Sequence, residues 1–306
     1  MKKAIAVLLT LVTIFTACLA LAENASYHMI VPGGAPAFAV SGVYAQEPDA
    51  VQTIGADTIA EAFGSAEADF IIAPINAGAK LFKLGKSSYR LAAVVTWGNL
   101  VFASKLPNFN SDMMNGRRLV LFGENTINAS VAKYVLASKG IEPSAIEYLA
   151  GAAETQAELL SGNDPEVVVM TAEPAITGAK LNDETISSVS VNDMYKDITG
   201  FDGFTQAGLF VREKTIQENP ELVIQGLAEI RESVELCEAD PETAAKNAVA
   251  MEVVKAEKVA LLALPGCNIR YMNALDAREQ IETTAQIDIA QFGGELPADD
   301  FYYEAK

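Results

Sequence analysis

Apolar and polar positions along the chain fall first into alternating short runs and later into helical stripes. The run "ADFIIAP" (68–74) is continuously apolar, as a strand covered on both faces of a sheet must be. Around it the pattern predicts strands at 27–31, 50–54, 89–96 and 99–104. Helices are predicted between them: "AFAVSGVYA" with its small-residue face, "DTIAEAFG" with Asp57 as cap and Gly64 as stop, and "AGAKLFKLG" behind Asn76. After the polar break "KLPNFNSDMMNGR" the alternation starts again. It predicts strands at 118–122, 146–150 and 166–170 and an edge strand at 186–191. Helices ending at Gly140 and Gly162 lie between them, and Pro174 sits in the first turn of a third. A further strand is predicted at 205–211. Beyond it Val223, Leu227, Ile230, Val234 and Cys237 step by four and three along one helix face, after the cap Asn219-Pro220-Glu221. Asp240-Pro241-Glu242 opens another helix in the same way. Two β/α sets joined by a polar break, with a helical tail, predict two α/β lobes.

Composition changes this picture mainly at the N-terminus. Lys2 and Lys3 precede an apolar run from Ala4 to about Phe15, and Ala20-Leu21-Ala22 has the small-x-small spacing of a secretory cleavage site. Residues 1–22 are read as a signal peptide and the protein as exported, periplasmic or at the cell surface. "FTAC" offers a second reading, a lipid anchor through Cys18, although Phe15 stands where such motifs usually carry Leu and no Gly/Ser tether follows. The formal charge is −18, and removing Lys2 and Lys3 makes the mature chain more acidic still. Nucleic acid and anionic membrane surfaces are excluded as partners on that ground. Cys237 and Cys267 are expected as separate buried thiols, since Cys237 continues an apolar helix stripe.

The chemistry legible in the chain argues against catalysis. His28 is the only histidine, and its place in the first strand suggests a structural role. One histidine and two cysteines give no zinc spacing, and no phosphate-binding glycine fingerprint occurs. No metal or cofactor is expected. What the chain does offer is a series of strand-to-helix turns built from small and polar residues: "PGGAP" (32–36), "APIN" (73–76), "TWGN" (96–99), "GENTINAS" (123–130) and "TAEP" (171–174). Any α/β protein has such caps. In open α/β sheets, however, ligands bind beyond the carboxyl ends of the strands, where helix N-termini direct free N–H groups. Spread over two lobes, these turns would line a cleft for a small polar ligand.

Several stretches resemble one family. "ADFIIAPINAGAKLFKLGKSSYRLAAVVTWGNLVFAS" is similar to the first lobe of ABC-transporter substrate-binding proteins of the nitrate/sulfonate/taurine type. "GRRLVLFGENT" and "TAEPAITGA" resemble parts of their second lobe, and "QAGLFVREKTIQENPELV" and "GGELPADDFYY" their return strand and tail. The resemblance covers most of the mature chain and includes the wider NMT1/THI5-like superfamily. It implies an α/β, two-lobed type II periplasmic-binding-protein fold of mainly parallel sheets flanked by helices, with two hinge crossings and a helical C-terminal part. Residues 27–104 plus 206–306 would form lobe 1 and 105–205 lobe 2.

The function implied is capture of a small ligand (a sulfonate, a nitrate-like anion or a small heteroaromatic) by a monomer that delivers it to ABC permease subunits. A sensor role is compatible with the same features. The alternative is an enzyme or precursor-binding protein of the thiamine-pyrimidine type, against which the cysteine-rich motif of those proteins is missing. Carried over by motif, first-lobe contacts would be Gly34, Ala35, Ile75, Asn76, Thr96, Trp97, Gly98 and Asn99. Asn125, Thr126, Glu173 and, near the hinge, Gln206 would complete the site. Asn76, Thr96, Asn99 and Thr126 are expected to donate side-chain hydrogen bonds, and Trp97, the single tryptophan, to wall the cleft. Glu173 reads equally as a ligand contact and as an acid favoured in a helix first turn.

Overall fold

The computed structural model describes residues 26–304. The leader read over residues 1–22, with Cys18, lies outside them. A six-stranded sheet contains β1 (Met29–Pro32), β2 (Val51–Ile54), β3 (Phe70–Pro74), β4 (Tyr89–Thr96), β10 (Ala207–Arg212) and β11 (Ile269–Asn273), in the order β11-β4-β10-β3-β1-β2. A five-stranded sheet contains β5 (Leu100–Ser104), β6 (Arg118–Phe122), β7 (Ala145–Leu149), β8 (Val168–Ala172) and β9 (Ser187–Ser190), in the order β7-β6-β8-β5-β9. Each sheet is parallel at one end and antiparallel where strands arrive from the other half of the chain. β1 pairs in parallel with β2 and β3, while β10 runs against β3 and β4.

The continuous apolar run at 68–74 becomes the buried strand it predicts. Alternation then divides β3 between two layers. Phe70 and Ile72 pack on one side with Met29, Val31, Leu209 and Val223, and Ile71 and Ala73 on the other with Phe63, Leu91 and Phe210. The first layer is covered by α2 (Ser41–Gln46) and α10 (Pro220–Ala239), the helix whose Val223, Leu227, Ile230 and Val234 stripe is buried as its spacing predicts. Gly42 permits the approach, because a Cβ there would lie 2.9 Å from Ser233 Oγ, the atom that accepts the Gly42 N–H. The predicted helix "AFAVSGVYA" is accordingly broken into α1 (Ala35–Phe38) and α2.

The second layer does not stop at the first sheet. It continues through Trp97, Leu100, Tyr195 and Phe204 to Phe102, Leu119, Leu121, Val168 and Met170 of the second sheet. α13 (Arg278–Ile287) in the C-terminal part closes it with Ala277, Ile281 and Ala285, and Thr284 Oγ1 accepts the Thr205 N–H at 3.2 Å.

One boundary differs from the expectation. The resemblance carries the first lobe to residue 104, whereas β5 pairs with β8 and β9 in the second sheet. Both edges of β4 are taken by β10 and β11, strands more than a hundred residues further on, so the chain cannot continue beside it. It crosses instead at Trp97-Gly98-Asn99 and returns just before Ala207. β11 and α8 (Val191–Thr199) were not predicted as separate elements. β11 is a half-buried edge without alternation, and α8 begins directly behind β9.

Among the described residues, Cys237 and Cys267 are buried and form no disulfide. Burial pushes the Cys237 thiol up to about 12, and burial with the nearby Glu173 charge raises Cys267 well above its usual range. Neither offers a thiolate near neutral pH. The folded mature protein is therefore expected to leave a colourless disulfide reagent unreduced until denaturant is added, when both thiols react. Rapid labelling of either thiol in the native state would contradict this packing.

Candidate functional site

The site is best built from Gln206, which enters β10 from the return crossing. Its backbone is locked to both neighbouring segments: Gln206 N–H donates to Thr96 C=O at 3.1 Å, and Gln206 C=O accepts the Ile75 N–H at 3.1 Å. Its side chain then spans the sheets. Nε2 donates to Asn99 Oδ1 at 3.0 Å and to Asn128 Oδ1 at 3.2 Å. Asn128 lies in the first turn of α5 (Ile127–Ser138), so one amide ties the crossing to a helix start of the second sheet.

Asn99 carries the connection further. Its Nδ2 donates to Glu173 C=O at 2.8 Å, and Glu173 N–H donates to Asn99 C=O at 3.0 Å. On the other side Asn76, in the first turn of α4 (Ile75–Lys83), approaches Gln291 Oε1 through Nδ2 at 3.5 Å. Gln291 Nε2 donates to Asn125 C=O at 2.6 Å. Close by, Ser130 Oγ donates to Asp288 Oδ2 at 2.7 Å, a second link from α5 to the C-terminal segment. Hydrogen bonds thus link Asn99, Glu173 and Gln206 on one side and Asn76 and Asn125 on the other. Asn128 and Gln291 join them without having been predicted. Asn128 had a visible signal, a polar residue three after Asn125 at a helix start. Gln291 had none, because its partner is 166 positions away.

The remaining predicted residues are placed differently. Gly34 caps α1 at φ 87° and borders open space, and Ala35 is buried with Phe38, Ala263 and Cys267. Ile75 is fully buried in the layer shared by the sheets. Thr96 Oγ1 accepts the Ala207 N–H at 3.0 Å, so its hydroxyl belongs to the crossing. Thr126 caps α5, accepting from Ala129 N–H and donating to Gly123 C=O at 2.6 Å. The expectation of free donors is therefore reversed. The Asn99 and Thr126 donors are directed at backbone carbonyls, because helix ends and crossing strands leave backbone groups that must be satisfied first, and the Asn76 donor faces Gln291 Oε1.

Trp97 is placed in the interior. Its ring is only 2% exposed, with Nε1 donating to Arg270 C=O at 2.9 Å and the Arg270 guanidinium 4.3 Å above the ring centre. Its backbone bonds run to Asn268 and Asn192. The ring borders an open pocket of about 430 Å³ lined also by Cys237, Glu238, Pro241 and Leu264, which shares no other residue with the predicted set. A lone tryptophan beside a crossing satisfies its N–H on the adjacent strand when that strand is the nearest buried acceptor.

Glu173 resolves toward its helix. The carboxylate accepts Thr177 Oγ1 at 3.0 Å and Thr177 N–H at 3.3 Å in α7 (Ala175–Asn182), and a Cβ on Gly266 would lie 2.9 Å from its Cγ. Burial raises its pKa against the opposing Thr177 bonds. His28 pairs with Gln52 at 3.1 Å on the exposed side of the first sheet. Among the described residues no group of three His, Cys, Asp or Glu side chains could hold a metal ion, and no helix is long and apolar enough to cross a membrane.

Two mixed sheets joined by two crossings, with polar helix starts converging between them, define the two-lobed type II periplasmic-binding-protein fold. The model of the NMT1/THI5-like family matches residues 108–244, the superfamily to which the sequence resemblance points. No curated protein sequence matches the chain. Among solved structures, an ABC transporter protein from Parabacteroides distasonis superposes with a TM-score of 0.77 at 18% identity, covering 92% of this chain and 100% of that one. The periplasmic aliphatic sulphonate binding protein SsuA of Escherichia coli superposes with a TM-score of 0.69 at 12% identity, covering 92% and 94%. The alkanesulfonate-binding protein SsuA of Xanthomonas axonopodis pv. citri, bound to MOPS, gives 0.62 at 16%, covering 90% and 96%. At these identities the likeness is one of fold.

Proposed function

We propose that the protein is an exported solute receptor that holds a small polar ligand between its two sheets and delivers it to an ABC importer. The observation that carries this reading is the convergence of Asn76, Asn99, Asn125, Asn128 and Gln206 from helix starts and crossings of both sheets. A ligand seated among them would touch both halves at once, so its binding would favour the closed arrangement over the open one. In this proposal the lobes follow the sheets, with hinges at 97–99 and 203–206. The sulfonate-binding proteins that share the fold support a transport role, and the secretory leader read in the sequence supports an extracytoplasmic one. The single, half-buried histidine, paired with Gln52, and the buried thiols support a non-catalytic role.

A thermal-shift screen against sulfonates, nitrate, amino acids, amides and pyrimidines tests the proposal. A ligand at a hundred times its Kd is expected to add about 2.7 kcal/mol of stability. Conversion of a candidate ligand to product by the purified protein would overturn the reading in favour of an enzyme.

A further inference from the structure

Two hydrogen-bond chains in the polar cluster end on buried oxygen atoms that nothing in the protein satisfies. The direction of each chain is set by a backbone carbonyl, which can only accept. Asn125 C=O requires that Gln291 present Nε2, leaving Gln291 Oε1 toward Asn76. That oxygen faces Asn76 Nδ2 at 3.5 Å, the orientation that avoids oxygen against oxygen, and Asn76 Oδ1 is left buried without a partner in a residue only 9% exposed. In the second chain, Glu173 C=O requires Asn99 Nδ2, so Asn99 Oδ1 takes Gln206 Nε2. Asn128 Oδ1 takes the same nitrogen, and Gln206 Oε1 is left buried without a partner. Turning either terminal amide over would set oxygen against oxygen. Folded proteins rarely keep such atoms, and those they keep tend to serve a function.

From this geometry we infer that Asn76 Oδ1 and Gln206 Oε1 are specificity-determining acceptors for a ligand that brings N–H donors, an amine or a primary amide. The inference rests on the receptor reading above. Nitrate and unsubstituted sulfonates offer only acceptor oxygens and would meet these atoms with like polarity. The linked side chains include no lysine or arginine that could compensate. An amine or amide would satisfy the two oxygens and leave the protein's own hydrogen bonds in place.

Calorimetric titration of the mature protein with matched pairs tests this: taurine against ethanesulfonate, and nicotinamide against nicotinate. In a pair that binds, the amine or amide is expected to bind tighter by roughly tenfold or more, and Asn76→Ala should erase much of that margin. Equal or tighter binding of the partner without the N–H group overturns the donor rule and leaves the receptor reading standing. Binding by none of the four counts against the receptor reading, and the donor rule is then decided by the melting temperature of ligand-free Asn76→Ala alone. That substitution removes the unsatisfied Oδ1 together with the long 3.5 Å contact from Nδ2 to Gln291 Oε1, two effects of opposite sign, so the melting temperature is expected to stay nearly level. A fall of more than about 3 °C would make Asn76 a structural residue and overturn the rule.

Discussion

Gly98→Ala is expected to destabilise the protein by about 2–5 kcal/mol, the sum of a left-handed backbone cost and overpacking. Gly98 sits at φ 80° in the outward crossing, where a side chain is already strained. A Cβ there would lie 2.4 Å from Phe204 Cε1 and 2.5 Å from Asn192 Oδ1. Those neighbours cannot retreat cheaply. Phe204 is fully buried in the layer shared by both sheets, and Asn192 Nδ2 holds the Trp97 and Gly98 carbonyls at 2.8 and 2.9 Å. Urea unfolding measures the loss, and Gly140→Ala separates its causes. Gly140 has a positive φ of 68° but open space around it, so it should lose only about 1–2 kcal/mol. Equal losses at the two positions would show that the crossing is not packed as described.

Trp97→Ala should cost about 3–5 kcal/mol, as for other large buried aromatics. The same variant would be far milder if the ring formed an exposed wall of the site. Trp97→Phe keeps most of the apolar volume and loses only the bond to Arg270 C=O, so a loss of about 0.5–1.5 kcal/mol is expected. Fluorescence provides a clean readout because Trp97 is the only tryptophan. Native emission should be blue-shifted and move to the red only as the chain unfolds. Trp97→Phe should bind ligand as the natural protein does. Tenfold weaker binding with unchanged stability would return the ring to the site.

These two residues mark where reading the chain succeeded and where it stopped. The pattern around 94–104 correctly flagged Trp-Gly-Asn as an interruption between strands. It suggested that the chain stayed with the first sheet, whereas the interruption is itself the crossing. The difference lies in β10 and β11, which occupy both edges of β4 from positions far along the chain. Asn76, Asn99 and Gln206 stand out in the sequence as polar side chains at strand ends and helix starts. Their hydrogen-bonding sense was not legible. An asparagine can donate or accept, and which end faces the site depends on the partner that takes the other.

The sequence by itself determined the two α/β halves, the buried β3 strand, the α10 stripe and the turns that supply the cluster. All of these rest on local periodicity and residue chemistry. Only the tertiary structure decided that β5 belongs to the second sheet, that Trp97 stacks beneath Arg270, that Gln291 reaches Asn125, and that the cluster ends in unsatisfied acceptors. Each of these depends on which distant backbone group a side chain meets first, and that pairing is set by packing across the whole chain.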